Sequence, residues 1–279
     1  QVPCEGNGDE KRALFVSIPF TWDLLGVRDF LARPNLLWDS AIVGGPAVEL
    51  MPGWFDGLDH VTVGHDLHGV LQRVNPMATR TTTGCPNKCQ FCAIGRGLVE
   101  PGGFRELDDW PDLPIITDNN LFAASVGHFD RVMDRLERWG WCDFNQGVDC
   151  RLLSDHHAER IARIGRPVIR LALDHMRQAG AWEMGLGRLL RAGVPLKAIR
   201  SYALVGFDAG LEEAWCRCRW IKDHGVKALP MWFHALDALE RNAVTPDQEA
   251  LGWTNAERLR LMQWFYKHRD REARIKRAA

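Results

Sequence analysis

At 279 residues the chain can build one large hydrophobic core or two modest ones. Hydrophobic residues make up 46% and charged residues 25%, the values of a soluble globular protein, and a net charge of −1 supplies no global attraction for a polyanion. No apolar run reaches the roughly 18–20 residues that span a bilayer, and the opening QVPCEGNGDEKR lacks the pattern of a secretory signal, so a cytoplasmic protein with no membrane association is expected. Gln1 in place of an initiator methionine points to a processed or trimmed chain.

The first strand signal is ALFVSIPF at 13–20, followed by a helical stretch at 21–32. Short strands at 40–43 and 60–63 follow, the first running into the turn Gly44-Gly45-Pro46. Residues 1–76 therefore read as a small, truncated Rossmann-like α/β segment. From residue 77 the pattern becomes strand, loop, helix, repeated. Strands are expected at 78–83, 114–117, 143–148, 168–173, 199–205 and 228–233, with helices at 126–140, 155–164, 182–192 and 211–224. Six strands alternating with helices imply right-handed crossovers and a parallel sheet. The fold class is thus α/β, with a partial (β/α)6 TIM-like barrel over 77–235 whose active site lies at the C-terminal strand ends. Residues 236–279 form a helical extension, with a helix at 255–267 capped by Thr254 and a basic stretch at 268–277 that reads as a solvated end.

Eight cysteines in a chain of this length do not make a disulfide scaffold, and three of them crowd into GCPNKCQFC at 84–92, which favours a metal site. Cys85, Cys89 and Cys92 sit on the loop after the first strand of the repeating part. Three thiolates this close can hold three corners of a cubane cluster and leave one iron open. Structural zinc competes, but it wants four ligands in paired groups, and Cys142, Cys150, Cys216 and Cys218 are too scattered to supply the second pair. Twelve tryptophans and only two tyrosines are unusual; large core residues are the stronger account and a lined cleft the weaker.

With Phe91 ahead of the last cysteine, the motif resembles the signature of the radical S-adenosylmethionine (SAM) superfamily. The resemblance implies that Cys85, Cys89 and Cys92 bind a [4Fe–4S] cluster, that SAM chelates the open iron, and that a reductant such as flavodoxin or ferredoxin supplies an electron. Cleavage of SAM then yields a 5′-deoxyadenosyl radical that abstracts hydrogen in a water-excluded cavity. PIITDNN at 114–120 resembles the segment that contacts the SAM amino group, making Asp118 and Asn120 candidates, with a helix cap as the alternative. In FNQGVD at 144–149, Asn145, Gln146 and Asp149 are candidates for the SAM ribose or substrate, against an Asx turn. Arg170 could meet the SAM carboxylate or pair with Asp174. YALVGF at 202–207 resembles the segment packing on adenine, with Gly206 permitting close approach; Met231 could act likewise, though packing is its commoner role.

AIVGGPAVEL at 41–50 weakly resembles part of a cobalamin-binding domain. Too few residues precede Cys85 for the whole domain, and Asp66-Leu-His68-Gly69 lacks the second glycine of a cobalt-ligating motif, so His65 and His68 read as surface or packing residues. Only Cys4 is available for a second N-terminal cluster, and no cysteine follows Cys218. DFNQGVDCRLL, IRLALD and YALVGF look like small bacterial and phage radical SAM proteins, some linked to thymidine hypermodification. The favoured reading is an isomerase acting on an amino-acid-modified thymidine in DNA. Cys150, Cys142 and Tyr202 are candidate hydrogen donors, with inert buried thiols as the alternative for the cysteines. A cobalamin-dependent methyltransferase and a non-enzymatic metal-binding module are the competing readings; nothing in the sequence sets the oligomeric state.

Overall fold

The computed structural model describes residues 12–33, 37–64 and 69–275. Cys4, His65, Asp66 and His68 lie outside these residues, as do the side chains of the basic stretch at 268–277. Two compact units divide the chain. One comprises residues up to Pro76 with Asn87–Pro101 and His234–Arg241; the other comprises Met77–Pro86, Gly102–Phe233 and the residues from Asn242 onward.

In the first unit β1 (Ala13–Ser17), β2 (Ser40–Gly44) and β3 (Val61–Val63) form a parallel sheet in chain order. Helix α1 (Leu24–Leu31) follows β1, α2 (Pro46–Leu50) follows β2, and α3 (Val70–Val74) follows β3. Gly45 sits at φ +100°, where a Cβ would meet the Ile18 carbonyl oxygen at 2.9 Å, so the turn into α2 needs glycine. Ile18, Leu24, Leu31, Ala41 and Val43 form the core of this unit.

The second unit is mixed α/β around a six-stranded parallel sheet. Its strands are β4 (Ala78–Thr79), β7 (Ile115–Ile116), β8 (Trp141–Phe144), β9 (Arg166–Ala172), β10 (Ile199–Val205) and β11 (Lys227–Trp232), each paired with the next in the chain. Between β4 and β7, β5 (Thr82–Thr83) and β6 (Arg105–Glu106) make a separate antiparallel pair. Helices α4 (Val126–Trp139), α5 (Asp155–Ala162), α6 (Ala179–Arg191) and α7 (Leu211–Asp223) fill the four later crossovers. After β11 come α8 (Pro246–Ala250) and α9 (Asn255–Ile275).

The strand expected at 78–83 breaks in two. The Asp118 carboxylate accepts from the backbone N–H of Thr81 (2.6 Å) and Thr82 (2.8 Å), drawing those donors out of the ladder. Strand β8 begins earlier than expected and ends at Phe144; Val148 keeps only an isolated bridge to Leu171. The closing helix runs on to Ile275.

Parallel strands are usually apolar on both faces, yet β10 alternates. Ile199, Ser201, Ala203 and Val205 are buried, while Arg200, Tyr202 and Leu204 are partly exposed. The buried set joins Ile169, Leu171, Trp182, Leu189 and Ile221 in one core between sheet and helices. Trp182 is satisfied there, its indole N–H donating to Ser201 Oγ at 2.9 Å. Trp38, Trp110, Trp182, Trp232 and Trp253 are buried while Trp139 and Trp264 are exposed, so the core account covers only part of the set.

Candidate functional site

The loop that carries Cys85 leaves β4 and is gripped from the end of the neighbouring strand β7. Asp118 accepts from the Thr81 hydroxyl at 2.6 Å besides the two backbone N–H groups. Burial raises the Asp118 pKa, and these hydrogen bonds oppose the rise. Both carboxylate oxygens are thus engaged in fixing the loop. His128, fully buried on α4, places Nε2 3.1 Å from the Thr81 hydroxyl, and its Nδ1 faces Arg131 at 3.0 Å and Glu106 at 3.7 Å. Burial lowers its pKa. Sequence reasoning missed Thr81, His128 and Glu106; the run of threonines at 79 and 81–83 ahead of the cysteines was the available signal.

Asn120, only 4% exposed, donates from Nδ2 to Cys85 Sγ at 3.7 Å. Its Oδ1 is buried with no hydrogen-bond partner, as are the hydroxyls of Thr79, Thr82 and Thr83. Buried polar atoms left unpaired are uncommon, and among the described residues they occur elsewhere too, at the Trp54 and Trp232 indoles and at Arg217 Nε. The turn leading to Cys85 is sterically exact in one respect. Gly84 has φ +67°, and a Cβ there would lie 2.0 Å from the Gly103 carbonyl oxygen.

Cys85, Cys89 and Cys92 are partly exposed and none is in a disulfide. The Cys92 N–H donates to the Cys89 carbonyl at 3.1 Å, so these two cysteines flank one tight turn, and Gly95 packs on the Cys89 backbone. Phe91 between them is partly buried. Among the described residues no three His, Cys, Asp or Glu side chains converge closely enough to hold a metal ion. Three thiols outside any disulfide are the donor chemistry of an iron–sulfur site.

The remaining candidates lie on the ends and on the helix-distal face of the second unit's sheet. Arg170 does not pair with Asp174. It makes a two-pronged ion pair with Asp143 on the adjacent strand and donates to the Phe144 carbonyl at 2.9 Å. Register explains this, since Val168, two residues before Arg170, pairs with Asp143, so the arginine reaches diagonally across. Burial works against its charge, but the Asp143 hydrogen bonds prevail and its pKa is raised. Tyr202 donates to the Asn145 carbonyl at 3.1 Å and lies 6.0 Å from the Arg170 guanidinium. Asn145 and Gln146 are exposed. Asp149 grips Arg151 with both oxygens, at 2.8 and 2.7 Å. Asp174 is pushed up to about 6 by burial, with Arg217 opposing and Asp149 reinforcing the rise.

Cys150 is 5% exposed, its thiol directed at the Ala172 carbonyl (3.7 Å), and burial pushes its pKa up to about 12. Cys142 is likewise pushed up to about 12. Those are the surroundings of inert thiols. Gly206, at φ +80°, is required by Trp232: a Cβ would meet the indole ring at 2.6 Å. Met231 is 45% exposed on the opposite side of β11 from Trp232. An apolar groove of about 530 Å³ lies on the first unit, lined by Val16, Pro19, Trp22, Val27 and Phe30 among others, and none of the candidate residues lines it. No described helix is long and apolar enough to cross a membrane. No protein-family model and no curated protein matches this chain.

Proposed function

We propose that the chain is a radical SAM enzyme in which Cys85, Cys89 and Cys92 hold a [4Fe–4S] cluster and the second unit is a partial (β/α)6 barrel. One observation carries the reading: the loop bearing the cysteine motif is gripped from the neighbouring strand end by Asp118, and by Asn120, whose buried amide points its N–H at Cys85 and leaves its oxygen unpaired. Six parallel strands in chain order support the barrel, since each right-handed crossover rotates the sheet in one sense. When bound, the cluster and SAM together supply a 5′-deoxyadenosyl radical for hydrogen abstraction.

The chain's own residues do the holding. Asp118 fixes the backbone ahead of Cys85, and the Asn120 oxygen is suited to accept from an ammonium. Arg170 has both terminal nitrogens on Asp143 and donates to the Phe144 carbonyl, so it braces the sheet beside Tyr202 rather than offering a free cation to a carboxylate. Asn145, Gln146 and Asp149 stand at the end of β8, where ribose or substrate hydroxyls would be read. The favoured substrate is an amino-acid-modified thymidine in DNA, isomerised after hydrogen abstraction. Hydrogen return falls to 5′-deoxyadenosine, or to Tyr202 with an electron from the protein reductant and a proton restoring its phenol, rather than to Cys150, whose thiol is buried. A low-potential protein reductant such as flavodoxin or ferredoxin completes the system, which functions in the cytoplasm.

Anaerobic reconstitution with iron and sulfide, followed by SAM and dithionite, tests the assignment. The expected outcome is a brown iron–sulfur absorbance and formation of 5′-deoxyadenosine. A colourless protein, or one that takes up only zinc, sinks it. Nucleoside mass spectrometry of DNA from cells with and without the protein tests the substrate separately.

A further inference from the structure

On α4, α5 and α6 of the second unit arginines meet carboxylates. Arg138 pairs with Asp112, Arg160 holds Asp130, Asp134 and Glu137, and Arg188 pairs with Asp155. Where α7 and α9 come together the cations are held differently. Trp215 of α7 lies edge-on to Trp264 of α9, with ring centroids 6.2 Å apart. Arg219, one turn after Trp215, sets its guanidinium 5.1 Å from that ring, and Arg260 approaches the same ring from α9 at 5.8 Å. Lys222 stands 5.7 Å from the Trp264 ring. Spacings of three and four residues explain the stripe: 215, 219 and 222 on one helix, 260 and 264 on the other.

These cations face solvent. Arg219, Lys222 and Arg260 are exposed, and so is 41% of Trp264. Arg260 has Glu257 at 3.5 Å, but among the described residues neither Arg219 nor Lys222 pairs with a carboxylate. Attraction to a ring leaves a cation its full charge and its N–H donors, whereas an ion pair consumes both. The sequence concentrates positive charge in the same segment. From Asn255 to Ala279 it has eight lysines and arginines against three acidic residues, in a chain whose net charge is −1.

We infer that the α7–α9 face is a docking surface for single-stranded DNA, with its cations on phosphates and Trp264 against an unpaired base. Phosphates suit cations with open donors, and an indole stacks on any base. A bilayer would need a broad apolar face. Leu261 and Phe265 of α9 pack into the core instead, leaving Leu259 as the one large aliphatic exposed among its described residues. The choice of DNA as the strand rests on the substrate reading above; the surface itself needs neither cluster nor SAM.

The test is fluorescence anisotropy of a labelled oligodeoxythymidylate with the full chain, before any cluster is loaded. Three neutralised phosphates at ~0.7 each give a salt slope of about −2, so a fourfold rise in salt is expected to weaken binding roughly 20-fold. Arg219→Gln with Lys222→Gln is expected to weaken binding about tenfold and to make that slope shallower by roughly 1.4. Arg219→Lys with Lys222→Arg keeps both charges and is expected to bind as wild type, which separates lost charge from lost fold. Arg163→Gln with Arg166→Gln removes the same charge elsewhere on the second unit and is expected to change nothing. Trp264→Ala is expected to cost about fivefold, and Trp264→Phe to restore most of it. The inference is overturned by wild type that ignores the oligomer, by equal losses in the two glutamine pairs, or by a preference for RNA or for anionic phosphatidylserine vesicles. A protein that binds the strand as described but assembles no cluster overturns the radical SAM reading and leaves this surface standing.

Discussion

Two sets of cysteines in one chain live under opposite conditions. Cys142, Cys150 and Cys218 lie in the layer between the second unit's sheet and its helices, each pushed up to about 12 by burial. Cys85, Cys89 and Cys92 sit on a loop, partly open to solvent. The same side chain is a small hydrophobe in the first setting and, on the proposed reading, a metal ligand in the second. On the proposed reading, the layer between sheet and helices carries the second unit's stability and the cysteine loop carries the chemistry. Mutations that separate stability from chemistry test that division.

The largest effect belongs to the loop. Cys89→Ala is expected to reduce iron content and 5′-deoxyadenosine to background while leaving the urea midpoint of the apoprotein unchanged. Next comes Arg217 on α7, fully buried, which donates to the Asp174 and Leu204 carbonyls and to Glu213. Arg217→Met orphans those carbonyls and the carboxylate, and should cost about 3–5 kcal/mol in chemical denaturation. Cluster uptake at low temperature should survive it. Asp118→Ala removes three hydrogen bonds at once; at about 1 kcal/mol each this is roughly 3 kcal/mol, and it should lower both stability and iron retention. That joint loss would identify Asp118 as the residue where the two regions meet.

A smaller effect follows from Asp174. Its folded-state pKa of about 6 exceeds its ordinary value of 3.8, so between those values the native state holds more of the proton than the unfolded one. Stability from this group is therefore full below about pH 4 and lost as pH rises to about 6. Discounted for the part of the side chain open to water, the change is ~2 kcal/mol. Asp174→Asn should flatten the stability profile in that window by this amount, measured as urea midpoints across pH. The smallest effect is expected from Cys150→Ala: about 1 kcal/mol of packing lost and an unchanged yield of radical product. A collapse of product yield with intact cluster would return Cys150 to the chemistry.

Much of the architecture was legible because periodicity records burial. Strand β10 was read at its observed bounds, since its apolar residues fall between turn signals. Helices α4 and α7 were read to within a residue at their ends, helped by Ser125, whose hydroxyl accepts from the His128 N–H, and by Gly140 in the left-handed region. What stayed hidden depends on side chains meeting across the chain. Nothing near residues 78–83 announces that a carboxylate 36 residues later will capture two backbone donors and split the strand. Arg170 offered Asp174 four residues on as a partner, and strand register supplied Asp143 instead. The cysteine motif was visible through its spacing alone, whereas Asn120's orientation toward Cys85 required the fold.

The contact between Gly84 and the Gly103 carbonyl has a further consequence. The chain departs from the second unit and rejoins it at nearly one point, so the intervening excursion behaves as a lasso closed at its neck. Within the excursion, Val99 is buried and the Glu100 N–H donates to Glu49, so the noose is held along its length as well as at its neck. The two glycines are the knot. The position of Cys85 is thereby tied to the sheet through the neck, whatever the rest of the excursion packs on.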